Sequence, residues 1–177
     1  YANIDLSAIR HNGGIAKKLF SKQKILSVLK ADAYGHGIRG VLAAYEEFTD
    51  WYAVATIEEA LRIREVSNKP VLIFGPIPED KMCIASQYDL TLTVGSMAYA
   101  ECLSDQMTRN GLRIKCHLKI DTGLNRSGIR WRDNGDEIDL IERLYKLPSL
   151  LFTGTYTHLA CGEGLLDWEI AHTQLQV

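Results

Sequence analysis

Six short apolar, β-rich runs recur along this chain with longer amphipathic stretches between them, and that alternation limits the folds open to it. The runs are KILSVLK (24–30), WYAVAT (51–56), VLIFG (71–75), LTLTV (90–94), IKCHLKI (114–120) and LLFTGTYTHL (150–159). Between them lie IRGVLAAYEEF after Gly37, TIEEALRIREV after Ala55, SMAYAECLSDQM after Gly95 and EIDLIERLYKL after Asp136. Their apolar residues recur at helical spacing. Strands that are apolar almost throughout and separated by helices call for parallel pairing with helices on the sheet, as a barrel or as an open sheet. The chain is therefore α/β.

Ahead of the first unit, NIDLSAIRHN reads as a short strand from Ala2 to Asp5, then a helix capped by Ser7 and weakened by Gly13 and Gly14. Six strands are fewer than the eight of a closed (β/α)₈ barrel, so a chain ending at Val177 would carry open parallel edges. Tyr1 is not a Met, and the last residues read as the opening of a helix. The expectation is one incomplete domain excised from a longer protein. No low-complexity segment, Pro-rich linker or finer repeat interrupts it.

Charge narrows the partners. Twenty Lys and Arg are spread among 22 Asp and Glu, with a net charge of -2. No basic stripe for nucleic acid forms. Cys83, Cys102, Cys116 and Cys161 are widely spaced, without a CxxC pair or a signal peptide, and read as reduced thiols of a cytoplasmic domain. No apolar run approaches the roughly 20 residues of a membrane span, although a longer parent could carry a membrane domain elsewhere.

Three strand ends carry candidate chemistry. In Val28-Leu29-Lys30-Ala31-Asp32-Ala33-Tyr34-Gly35-His36-Gly37 an apolar strand ends on a lysine and enters a Gly-rich turn. Barrels place chemistry at such ends, where a partly desolvated lysine can act as a Schiff-base nucleophile. On residue type alone, a solvent-exposed lysine is the plainer reading. In His117-Leu118-Lys119-Ile120-Asp121-Thr122-Gly123-Leu124-Asn125-Arg126-Ser127-Gly128, Arg126 is suited to a carboxylate, the plainer alternative being surface ion pairing. In Tyr156-Thr157-His158-Leu159-Ala160, His158 is either functional or a packing residue. His158 and Cys161 suggest a metal, but no further ligand pair stands at suitable spacing, so none is expected. Asp32 and His36 suit turn roles at least as well as chemistry, and Trp51, Tyr52 and the apolar stripe over 57–66 suit the core.

These strings together resemble the alanine racemase family. VLKADAYGHG is similar to its cofactor-lysine signature, VKA(N/D)AYGHG, and HLKIDTGLNRSG to its H(L/V)K(V/I)DTGM(G/N)R(L/I)G pattern. YTHLA is similar to its (Y/F)THFA run, and WYAVATIEEALRIR also resembles a family segment. The resemblance implies the N-terminal pyridoxal-phosphate-binding (β/α)₈ TIM barrel, here truncated after about the sixth strand and spanning 1–177. It implies that Lys30 forms an aldimine with pyridoxal 5'-phosphate and serves as one of two bases, and that Tyr34 contacts the phosphate. Lys119, often carbamylated in the family, holds Arg126 at the cofactor's phenolate oxygen, and His158 lies beside the pyridine ring. A carbamate would pair with Arg126 where two bare cations would repel. Leu124, Ser127 and the Cys161-Gly162-Glu163-Gly164 continuation depart from the pattern.

By the same resemblance the full protein is a homodimeric racemase of L- and D-alanine, or of serine as in vancomycin-resistance enzymes, supplying D-amino acid for peptidoglycan. Its second base is a tyrosine on a C-terminal β domain. The 177 residues alone are then expected to be inactive, to hold cofactor weakly and to self-associate through open strand edges. A non-catalytic cofactor-homeostasis barrel is the alternative, disfavoured because those proteins lack AYGHG after their lysine. A decarboxylase on the same barrel fits the wording of the motifs less well.

Overall fold

A computed structural model describes residues 1–131 and 136–160. It opens on helix α1 (Leu6–Leu19) and continues with strand β1 (Leu26–Val28), turn α2 (Lys30–Tyr34) and helix α3 (Ile38–Tyr45). Next come β2 (Trp51–Val54), α4 (Ile57–Arg64), β3 (Val71–Ile73), α5 (Glu79–Gln87), β4 (Thr91–Val94) and α6 (Met97–Arg109). The described chain ends with β5 (Ile114–Asp121), β6 (Ile129–Arg130), α7 (Asp136–Tyr145) and β7 (Leu150–Tyr156). These elements form two compact units, one of Tyr1–Ile77 with Ile84–Leu92, the other of Pro78–Cys83 with the chain from Thr93 onward.

In the first unit β1 pairs with β2, β2 with β3, and β3 with the start of β4, all parallel. Tyr52, Ala53 and Val54 of β2 and Val71, Leu72 and Ile73 of β3 are buried on both faces, as a parallel sheet beneath helices requires. Helix α4 turns Ile57, Ala60 and Ile63 inward. Its N-terminus is closed by a capping box, in which Thr56 Oγ1 accepts from Glu59 N and Glu59 Oε2 accepts from Thr56 N. Arg64, in the last turn of α4, donates to the carbonyls of Ser67, Lys69, Tyr88 and Asp89 and so binds two loop segments to one guanidinium.

In the second unit β5 pairs in parallel with β7 and with β6. The β5–β7 register shifts between Cys116 and His117, which face Phe152 and Gly154 and so leave Thr153 as the extra residue of a β-bulge. Helix α6 is capped by Ser96, whose side chain accepts from Tyr99 N, and buries Ala100, Leu103, Ser104 and Met107. That i, i+3, i+4, i+7 spacing makes a single inward stripe.

Several expectations need correction. No strand forms over 2–5, because these residues find no pairing partner and stay at the surface. Asp5, not Ser7, caps α1; its carboxylate accepts from Ser7 N and Ala8 N at 2.8 and 3.1 Å. Gly13, whatever it costs α1 in propensity, also seats the helix. The nearest ring carbon of Phe48 lies 2.6 Å from where a Cβ would stand, so only glycine lets the helix approach the Tyr45 and Phe48 rings this closely. Helix α5 and strand β6 were not anticipated. The α5 residues EDKMCIASQ turn only Met82 and Ala85 into the core, too few to mark a periodic stripe, and β6 is two residues long.

Cys83, Cys102 and Cys116 are thiols; Cys161, the loop after it and the suggested terminal helix lie outside the described residues. Among the described residues, no helix is long and apolar enough to cross a membrane.

Candidate active site

The candidate residues divide between the units. Lys30 and Tyr34 belong to the first, and Lys119, Arg126 and His158 to the second.

Strand β1 is prolonged by Leu29, which is 1% exposed and donates to Ala53 O at 2.8 Å. The chain then turns abruptly. Ala31, Asp32 and Ala33 adopt φ of 52 to 55° and ψ of 47 to 49°, and Tyr34 also has φ of 55°. Ala33 N donates to Leu29 O and Gly35 N to Ala31 O, both at 2.9 Å. These are the dihedrals and i→i−4 bonds of a left-handed α-turn. For L-residues each step costs roughly 1–2 kcal/mol. Strain of this kind persists only where surrounding contacts over-determine it, and it concentrates at functional sites.

The turn is held at several points. Asp32 Oδ1 accepts from Ile38 N at 2.9 Å, and Asp32 O from Gly37 N at 2.9 Å. His36 Nδ1 lies 3.0 Å from Ala33 O. Asp32 and His36 therefore serve the turn, one of the two roles expected of them. Ala31 N donates to Glu59 Oε1 at 2.6 Å. Glu59 carries no motif of its own for chemistry; its signal in the sequence is the Thr56-x-x-Glu59 capping-box pattern. Lys30 itself is half-buried, with Nζ 5.8 Å from the centroid of the exposed Tyr34 ring.

In the second unit the β5–β7 pairing sets Lys119 beside Tyr156. Lys119 is 6% exposed; its ammonium lies 5.8 Å from the Tyr156 ring centroid and donates to Ser127 Oγ at 2.6 Å. Ser127, one of the departures from the family pattern, thus bonds the buried lysine directly. Burial raises the Tyr156 phenol above its usual pKa, against the opposing effects of its hydrogen bond with Thr93 and the charge of Arg126. Tyr156 therefore has Lys119 over its ring and Arg126 within electrostatic reach. Thr122 and Thr157 join their hydroxyls at 2.8 Å just beyond the ends of β5 and β7. His158 follows, exposed, two residues after Tyr156. Among the described residues no cluster of three or more His, Cys, Asp or Glu is arranged for a metal ion.

Asp121 shapes the Arg126 loop. Its Oδ1 accepts from Gly123 N and Asn125 N at 3.0 and 2.9 Å, and its Oδ2 from Arg126 N at 2.9 Å. Burial pushes its pKa up, but these three bonds and the charge of Arg130 together outweigh burial and hold the carboxyl below its ordinary 3.8. A carboxyl depressed on folding contributes stability that is fully present above the unfolded value and lost as pH falls through the folded one. Acidification below about 3.8 is therefore expected to loosen this loop. The thermal midpoint of the native chain should fall more steeply with acid than that of Asp121→Asn, the two curves converging at low pH. Parallel curves would contradict this.

Comparison with known proteins gives the fold and the family together. The chain is 40% identical over 158 residues to alanine racemase 1 of Caldanaerobacter subterraneus subsp. tengcongensis, a match covering 88% of this chain and 40% of that one. It is 34% identical over 174 residues to the serine/alanine racemase of Enterococcus gallinarum, covering 97% and 24%. The alanine racemase from Bacillus anthracis with bound L-Ala-P superposes with a TM-score of 0.84 at 28% identity, over 98% of this chain and 45% of that one. The chain thus spans less than half the length of each of these proteins, and the expected alanine racemase barrel is the fold it shares with them. Residues 4–177 match the alanine racemase N-terminal domain model, and the chain belongs to that family.

Proposed function

We propose that the protein carrying this chain is a pyridoxal-phosphate-dependent amino-acid racemase that interconverts the L and D forms of alanine or of serine and supplies D-amino acid for peptidoglycan. In this reading residues 1–177 are the cofactor-binding barrel portion. The remainder of the protein would supply a second base and a homodimer contact. The observation that carries the reading is Lys30, half-buried at the end of the first parallel strand on a strained left-handed turn, in a chain whose family match spans 4–177.

The residues present suit the cofactor's chemistry. The first unit offers an amine beside a phenol, Lys30 and Tyr34, and the second offers the cations Lys119 and Arg126 around Tyr156. When bound, pyridoxal phosphate supplies a carbonyl that condenses with an amine and a pyridine ring that accepts electrons from the substrate α-carbon. Lys30 would be the amine that holds the cofactor and the base that removes or returns the substrate α-proton on one face. Tyr34 would bind the phosphate. Arg126 and Lys119 would hold the ring oxygen, Lys119 as an ammonium bonded to Ser127 or as a carbamate paired with Arg126. His158 would contribute beside the ring.

Borohydride reduction of the protein with pyridoxal phosphate, followed by peptide mass analysis, tests this reading. The cofactor mass should appear on the peptide carrying Lys30. Label spread evenly over surface lysines, with none enriched at Lys30, would refute the assignment.

A further inference from the structure

The carboxylate of Glu59 joins the start of α4 to the turn that carries Lys30. Its Oε1 accepts from Ala31 N at 2.6 Å, while Oε2 accepts from Ala55 N and Thr56 N at 2.9 and 3.2 Å. Ala31 is the first residue of the left-handed run and the immediate neighbour of Lys30. Of the run only Asp32 is of a type that enters this conformation with any ease, and Ala31, Ala33 and Tyr34 are not, so the turn depends on further contacts. As the first N–H of the turn, that of Ala31 has no partner within it, and Glu59 supplies one.

A capping box needs only the bond to Thr56. The bond to Ala31, 28 residues away in the chain, goes beyond it. We propose that Glu59 is a positioning residue for Lys30, its carboxylate clamping Ala31 in the left-handed turn and so fixing the direction in which the lysine leaves β1. The proposal rests on the reading of Lys30 as the reactive amine.

Counting acceptors yields a selective variant. Three N–H groups converge on one carboxylate, whereas a Gln amide offers one acceptor oxygen and an NH₂. Facing α4, the oxygen of Glu59→Gln satisfies Ala55 and Thr56 and turns the NH₂ toward the Ala31 N–H. The reverse orientation sets the NH₂ against two donors and is disfavoured. Glu59→Gln should therefore release the lysine turn while keeping α4 closed. Thr56→Ala does the opposite, removing the hydroxyl that accepts from Glu59 N while leaving the carboxylate on Ala31.

Both variants and the native full chain would be followed by hydrogen–deuterium exchange over 30–37 and by the rate of borohydride-trapped pyridoxal phosphate labelling of Lys30 relative to the other lysines. Glu59→Gln is expected to speed exchange at least about tenfold, as loss of a charge-assisted hydrogen bond implies, and to slow Lys30 labelling. Thr56→Ala should lower the thermal midpoint and change neither. Native exchange or native labelling in Glu59→Gln, or equal effects in Thr56→Ala, would overturn the role of Glu59. Absence of Lys30 labelling in the native chain would instead overturn the reactive-lysine reading on which the proposal rests.

Discussion

Replacing Lys30 by Ala is expected to reduce racemization by the full-length protein roughly 10⁴-fold or more, because in the proposed function covalent capture and α-proton transfer both act through this amine. The fold should survive. The Lys30 side chain is half-buried and the strain of the turn begins at Ala31, so unfolding should shift little. Lys30→Arg separates charge from nucleophilicity. It keeps a cation able to lie over the Tyr34 ring, but a guanidinium stays protonated and cannot attack a carbonyl. Racemization should be lost as completely as in the Ala variant. An Arg variant with near-native turnover would show that Lys30 contributes only charge, and the proposed mechanism would fall.

Gly128→Ala is expected to destabilise the protein by roughly 2–5 kcal/mol, the sum of a strained backbone conformation and an overpacked contact. Gly128 has φ of 121°, and a Cβ there would stand 2.9 Å from Lys119 O, 3.0 Å from Asp121 N and 3.1 Å from Ile120 C. All three atoms belong to the backbone of β5, which is paired with β7 on one side and β6 on the other and has little room to give. Gly111→Ala is the matched control. Its φ is also positive, at 64°, but nothing lies within 4 Å of the added Cβ, so only the conformational cost of about 1–2 kcal/mol remains. Denaturant unfolding of both variants measures the difference. Equal losses would mean that the approach of Gly128 to β5 carries no weight. A larger loss at Gly128 would also bear on Lys119, whose carbonyl is the atom most crowded and whose ammonium bonds the adjacent Ser127.

The strands and most helices were legible because burial on both faces demands apolar runs and one-sided burial demands a stripe. WYAVAT, VLIFG, LTLTV and IKCHLKI all contain strands, and Ile57, Ala60 and Ile63 mark α4 without ambiguity. What was misread lay where pattern does not decide. Asp5 and Ser7 are both good caps, and only the actual path of the chain selects between them. Gly13 looks like a weakness of α1 until the rings that need its missing side chain come into view.

The candidate residues Lys30, Tyr34, Lys119, Arg126 and His158 were all named from consecutive motifs, since chemistry at strand ends leaves short, ordered strings. Their supports were not. Glu59 reaches Ala31 from another element, Tyr156 meets Lys119 through the register of β5 and β7, and Ser127 bonds the lysine across a loop. The sequence by itself determined the alternation of elements and the order of the strand-end groups, which are written in local composition and spacing, and its motif strings carried the resemblance to the family. Only the tertiary structure decided that the residues after Lys30 wind left-handed. Ala31, Ala33 and Tyr34 do not favour that conformation, which costs free energy and stands because local bonds of Asp32 and His36 and the distant carboxylate of Glu59 hold it there.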